Sequence, residues 1–246
     1  HVNTTIYETP QEGIACVAAR IAKLIRGREA GGQKAVLSLA SGRSMRDLFV
    51  ELVRLHKEEG LSFKNVVVFC TYEFYPLADL STGSMAQIKS QLLDHVDILP
   101  ENVHAIPGDL PKENILTFCD DYEKLIASVG GIDIQVLGIG QCGNIAMNEP
   151  GTQANSSTRL VILDNNSRND AKSLFGNAAQ VPASAITLGI DTILQATEVV
   201  LLAFGQHKAN IVKQAIEGTA TPACPASLLQ LHKNASVALD LDAANL

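Results

Sequence analysis

The densest run of reactive and backbone-bending residues in this chain is Gly138-Ile-Gly-Gln-Cys-Gly-Asn-Ile-Ala-Met-Asn-Glu-Pro150. Gly138, Gly140 and Gly143 let the backbone turn sharply and come close to a ligand. Cys142, Asn144, Asn148 and Glu149 place a thiol, two amides and a carboxylate just beyond. A glycine-rich turn with no ligand fits the same pattern, because glycine motifs out of context are weak signals. A second stretch, Ala40-Ser-Gly-Arg-Ser44, offers backbone N–H groups at a helix start, two hydroxyls (Ser41 and Ser44) and the charge of Arg43. That combination suits an anion, but a plain N-cap and turn reads the same way. The Gly-Lys-Ser/Thr ending of a P-loop is missing. Glu73 is a candidate acid or base, or a solvated loop glutamate. Lys208 falls in the first turn of a helix, where a cation opposes the helix dipole. The placement makes sense beside a bound anion; the alternative is an exposed lysine.

Each of these stretches follows an apolar run that reads as a buried strand. Ala35–Leu39, Asn65–Cys70, Ile132–Leu137, Arg159–Leu163, Pro182–Gly189, Glu198–Phe204 and Ala235–Leu241 are the expected strands. Thr9-Pro-Gln-Glu12 reads as an N-cap, a first-turn proline and a capping-box glutamate opening a helix. Further helices are expected after Ser44, over Met85–Leu93, from Pro111 to Ser128, over Ser167–Phe175 and after Lys208. Thr71–Pro76 reads as a loop at a carboxyl edge, and Gly151–Thr158 as a surface loop long enough to cover a site. Strands alternating with helices imply an α/β fold of three layers, a mostly parallel central sheet with helices on both faces. With no composition shift, repeat or linker, residues 1–246 read as one domain. Ligands of such sheets bind at the carboxyl ends of the strands.

Composition narrows the partners. The net charge is −7, from 19 basic and 26 acidic residues, which opposes non-specific binding to nucleic acid or anionic membranes. A locally basic pocket for a small anion is still compatible. Hydrophobic residues are 46% of the chain but aromatics only 4%, so aliphatic side chains must fill the core. The five cysteines are scattered without a CxxC pair or zinc spacing, which reads as reduced, mostly buried thiols in a cytoplasmic protein. No apolar run is long enough for a membrane span. The chain begins with His1 rather than Met, so a removed leader stays open. No metal or organic cofactor is expected.

In order along the chain, Leu39-Ala-Ser-Gly-Arg-Ser44, Ser62-Phe-Lys-Asn-Val-Val67, Asp94-His-Val-Asp-Ile98, Ile145-Ala-Met-Asn-Glu-Pro150, Gly205-Gln-His-Lys-Ala209 and Leu229-Gln-Leu-His232 resemble the glucosamine-6-phosphate deaminase/isomerase family. Lactonases acting on 6-phosphogluconate share the fold, but Asn148-Glu149-Pro150 looks like the deaminase branch. The resemblance implies the Rossmann-like fold of that family and a pocket for a hexose or aminohexose 6-phosphate. It assigns phosphate contacts to Ser41, Gly42, Ser44, Arg168 and Lys208. Arg43 stands where the family has its second loop glycine, which alters the fit of the phosphate.

The resemblance also exposes departures. Family members usually read Asp-Glu where this chain has Tyr72-Glu73, and that aspartate is taken as the proton-shuttling base. They read Gly-x-Asp-Gly-His-Ile-Ala-Phe-Asn-Glu-Pro where this chain has Cys142 for the aspartate and Asn144 for the ring-opening histidine. A tyrosine, with a reference pKa of about 10, is a poor base near neutrality, and asparagine transfers no protons there. Glu149 alone remains of the proton-transfer set. The leading expectation is therefore a sugar-phosphate-binding homologue that has lost deamination. Two others stand beside it. One is an active enzyme on a related phosphosugar using Glu73, Glu149 and Cys142. The other is a non-catalytic sensor or scaffold subunit, which as a DNA regulator would need a further domain. Family members include hexamers and monomers, so a homo-oligomer is a further expectation. Arg159 matches an allosteric arginine, but Val161 replaces a nearby family lysine.

Overall fold

The computed structural model describes residues 2–245. Seven strands form the central sheet: β1 (Asn3–Tyr7), β2 (Ala35–Leu39), β3 (Val66–Cys70), β5 (Val103–His104), β6 (Ile134–Leu137), β9 (Glu198–Ala203) and β10 (Ala235–Asp240). Their order is β1-β10-β9-β6-β2-β3-β5, and every neighbouring pair is parallel. β2, β3 and β6 are buried at every residue. Strands covered on both faces read as continuous apolar runs, which is why the sequence announced them.

The longer helices are α1 (Pro10–Ala30), α2 (Arg43–Glu59), α3 (Ser84–Gln91), α4 (Ile115–Ser128) and α8 (Ala209–Glu217). Short ones are α5 (Asn165–Asp170), α6 (Lys172–Phe175), α7 (Ile190–Leu194) and α9 (Leu241–Ala244). They cover both faces of the sheet, as the alternation of elements predicts. α1 begins as its sequence indicates: Thr9 Oγ1 accepts from Glu12 N at 3.2 Å. The Glu12 carboxylate does not close a capping box on Thr9, however; it accepts from Glu8 N at 3.3 Å. Ile14, Val17, Ala18, Ile21 and Ile25 of α1 and Leu48, Phe49, Leu52 and Leu55 of α2 pack into a mainly aliphatic core.

Thr71–Pro76 is not a loop. It holds β4 (Tyr72–Tyr75), which joins β7 (Arg159–Ile162) and β8 (Ser184–Thr187) in a separate antiparallel sheet of order β4-β8-β7. Tyr72, Phe74 and Tyr75 supply the aromatic content that favours a pleated, buried strand, and all four residues of β4 are buried. Two strands escaped the sequence reading. β1 is polar and exposed along most of its length and pairs with β10 only, while β5 has just two residues. The 151–158 loop is held by Ile190 N, which donates to Ser156 Oγ at 2.9 Å. Gly189 admits it, because a Cβ there would collide with the Ser156 carbonyl. Among the described residues no helix is long and apolar enough to cross a membrane.

Candidate functional site

β9, β6, β2 and β3 are neighbours and run the same way, so the segments leaving their carboxyl ends meet at one edge. These are the segment starting α2, the 138–150 stretch, the turn before α8, and Thr71 leading into β4. The sequence placed Ser41, Cys142, Asn144, Glu149 and Lys208 on those segments, and the topology brings the segments side by side.

At the first, Gly42 takes φ of +140° and precedes α2 with no side chain capping the helix. Gly42 and Arg43 are exposed and Ser44 is half-buried. A Cβ on Gly42 would meet nothing within 4 Å, so the space above this helix start is open. Ser41 is buried, and its Oγ lies 3.2 Å from the Tyr72 hydroxyl, which also donates to the Ser41 carbonyl at 3.2 Å. Burial pushes the Tyr72 hydroxyl up to about 12, with Ser41 pulling the other way.

At the second, Asn144 and Glu149 meet through Ser167 of α5. Asn144 Nδ2 donates to Ser167 Oγ at 2.9 Å, and Ser167 Oγ donates to Glu149 Oε2. The same Glu149 oxygen accepts from Asp164 N at 2.9 Å. Asp164 caps α5 by accepting from Ser167 N at 2.8 Å. Gly143 is needed here: its φ is +86° and a Cβ would lie 2.6 Å from Cys224 Sγ. Cys142 is half-buried, and burial, then Asp164, Asp170 and Glu149, raise its thiol above the ordinary value.

At the third, Lys208 Nζ donates to the Ile139 carbonyl, just past the end of β6. Burial lowers its pKa and the Asp170 carboxylate opposes that shift. Arg168 donates to the Val181 carbonyl at 2.9 Å and the Ala179 carbonyl at 3.5 Å, while its Nε is buried without a partner. Neither cation forms an ion pair with a carboxylate among the described residues. Arg168 and Asp170 both lie on α5, but two residues apart on a helix they do not share a face: Asp170 is set toward Lys208, and Arg168 toward the Ala179 and Val181 carbonyls.

Glu73 stands apart from this group. It is 2% exposed, and its carboxylate accepts from Ser84 N at 2.7 Å, Met85 N at 3.1 Å and Phe74 N at 2.9 Å. It serves as the anion at the start of α3. Neighbouring strand residues point to opposite faces, so Tyr72 reaches Ser41 while Glu73 reaches α3. Burial raises the Glu73 pKa despite those three N–H donors.

Sequence reasoning missed Asp164, Ser167, Asp170 and Gln141. A signal existed for the first two: Asp164-Asn-Asn-Ser167 is an aspartate N-cap three residues before its N–H partner, so α5 begins at Asn165 rather than at Ser167. Among the described residues no three His, Cys, Asp or Glu side chains are grouped to hold a metal.

Residues 8–238 match the family described as glucosamine-6-phosphate isomerases/6-phosphogluconolactonase. The chain belongs to that family. A glucosamine-6-phosphate deaminase-like protein of Bacteroides thetaiotaomicron is 49% identical over 244 residues, covering 99% of this chain but 37% of that protein. This chain therefore spans little more than a third of that relative's length. The glucosamine-6-phosphate deaminase of Shewanella woodyi is 43% identical over 211 residues, 85% of this chain and 79% of its own. Among solved structures, a monomeric glucosamine-6-phosphate deaminase superposes with a TM-score of 0.93 at 33% identity, covering 100% of both chains. The 6-phosphogluconolactonase of Trypanosoma brucei, at 22% identity and TM-score 0.78 over 99% of this chain and 98% of its own, shares the fold.

Proposed function

We propose that this chain binds a hexose or aminohexose 6-phosphate at the carboxyl ends of β2, β6 and β9 and is impaired in releasing ammonia from it. The observation that carries this reading is the Tyr72–Ser41 contact. Where family members usually place a carboxylate base, this chain has a buried phenol held by Ser41, with a pKa near 12. A base works best with a pKa near the operating pH. Asn144, in place of the family's ring-opening histidine, is held by Ser167 and moves no proton. What supports the binding half is an uncapped helix start at Gly42, and Lys208 and Arg168 donating to backbone carbonyls rather than to carboxylates. The named relatives support the ligand class, since they are glucosamine-6-phosphate deaminases. Five free cysteines support a cytoplasmic setting.

Calorimetric titration with glucosamine 6-phosphate and glucose 6-phosphate, alongside an ammonia-release assay, tests this reading. Saturable binding that weakens about tenfold or more in Lys208→Ala, with ammonia release at least about 100-fold below an active deaminase, is the expected result. Efficient release that depends on Glu149 would establish an enzyme instead. Binding indifferent to Lys208→Ala would place the ligand elsewhere.

A further inference from the structure

Asp170 is the carboxylate set against the Lys208 ammonium, and it is the feature an anion must contend with. It stands at the solvent-facing edge of the cleft, where Gln141 Nε2 donates to its Oδ1 at 3.1 Å. A Cβ on Gly140 would lie 3.3 Å from Asp170 Oδ2 and 3.5 Å from Asn144 Cγ, so both side chains flank one backbone point. The Asn144 amide has a defined orientation. Ser167 spends its only proton on Glu149, so it must accept from Asn144 Nδ2, which leaves Asn144 Oδ1 buried without a partner. Asn144 is itself 7% exposed.

The groups around Asp170 come from three segments. Lys208 faces it from the turn before α8, Gln141 and Cys142 from the glycine stretch, and Asp164 from the start of α5. Burial raises the Asp170 pKa and Lys208 opposes that shift. The cleft therefore presents a hydrogen-bond acceptor, Asp170, next to a cation, with the buried Asn144 Oδ1 behind it. A fully ionised oxyanion is attracted by Lys208 and repelled by Asp170, and it brings no donor for that carboxylate. An oxyanion carrying one proton meets both groups: its P–OH donates to Asp170 while its charged oxygens accept from Lys208.

We propose that Asp170 makes this site select a proton-carrying oxyanion, the monoanionic form of a phosphomonoester, over a sulfate ester, which has no proton to share. The proton stays on the phosphate oxygen and is shared through a hydrogen bond; no bond to phosphorus forms or breaks. The proposal rests on the anion-binding reading above and deepens it by naming the residue that tells phosphate from sulfate. A site built to receive a donor rejects an analogue lacking it more strongly than an apolar pocket rejects a change of shape.

Glucose 6-phosphate and glucose 6-sulfate distinguish the outcomes, titrated calorimetrically at about pH 6, near the second phosphate pKa. The wild-type chain, Asp170→Asn and Asp170→Ser are compared, each checked for folding by circular dichroism. The wild type is expected to prefer the phosphate ester by about tenfold or more. In Asp170→Asn the preference falls to within about twofold, because the amide donates to sulfate; in Asp170→Ser it falls as well. Equal phosphate-to-sulfate ratios in all three proteins overturn the role of Asp170 and leave the anion site standing. Absence of binding of either ester to the folded wild type overturns the anion site and this proposal together.

Discussion

Tyr72 and Ser41 are tied to each other twice: the phenol donates to the Ser41 carbonyl at 3.2 Å and its oxygen lies 3.2 Å from Ser41 Oγ. The first residue of β4, in the small antiparallel sheet, thereby steadies the loop that opens α2, on the large parallel one. Tyr72, Phe74, Ala40, Leu163 and Ala171 share one apolar cluster, so the tie is packed as well as hydrogen-bonded.

Tyr72→Phe keeps the ring and removes both hydrogen bonds. Stability is expected to fall by about 1 kcal/mol, the usual net worth of such a bond, measured by urea unfolding. With the Ser41 loop released, affinity for glucose 6-phosphate should weaken by roughly threefold or more, which is about 0.6 kcal/mol and within the net worth of one hydrogen bond. Unchanged affinity together with unchanged stability would mean that Tyr72 does not hold the loop.

Glu73 is predicted to support the fold, not the reaction. Glu73→Ala leaves the Ser84 and Met85 amides without their acceptor and should cost about 3 kcal/mol, whereas Glu73→Gln keeps an acceptor and should cost about 1 kcal/mol. Sugar-phosphate affinity should stay within about twofold in Glu73→Gln, since the carboxylate faces α3 rather than the Ser41 loop. The pH dependence has a definite sign. Burial holds the folded pKa above the ordinary 4.5, so the protonated form is the one the fold favours. That contribution is fully present below pH 4.5 and is lost as pH rises through the raised folded value. The stability of the wild type relative to Glu73→Gln should therefore decline across that window, read from denaturant midpoints at successive pH values.

Cys142 is predicted to be a slow thiol. Burial and the carboxylates of Asp164, Asp170 and Glu149 all raise its pKa, so little thiolate exists at neutral pH. Iodoacetamide should modify it several-fold more slowly than a free small-molecule thiol, and Asp170→Asn should speed labelling by removing one negative charge. Cys142→Ser should leave sugar-phosphate binding within about twofold. Rapid labelling, or binding lost in Cys142→Ser, would return the thiol to the list of working groups.

The sequence by itself determined the layered α/β architecture and where the site segments begin. Strands buried on both faces of a parallel sheet are mostly apolar, with glycine and polar residues following them, so β2, β3, β6 and β9 were visible as runs of letters despite Ser38 and Gln135. It also showed which chemical groups are present: a phenol at 72 and an amide at 144 have their proton-transfer properties wherever they lie. Local pattern did not reveal β4, because its strand character depends on pairing with β8, more than 100 residues later. Nor did it separate Glu73, which caps α3, from Glu149, which Ser167 ties to the start of α5. Both are single carboxylates beside polar residues in the sequence. Only the tertiary structure, by setting α5 against the glycine stretch and Asp170 against Lys208, decided which charges meet, since hydrogen bonds and Coulomb forces act across space and not along the chain.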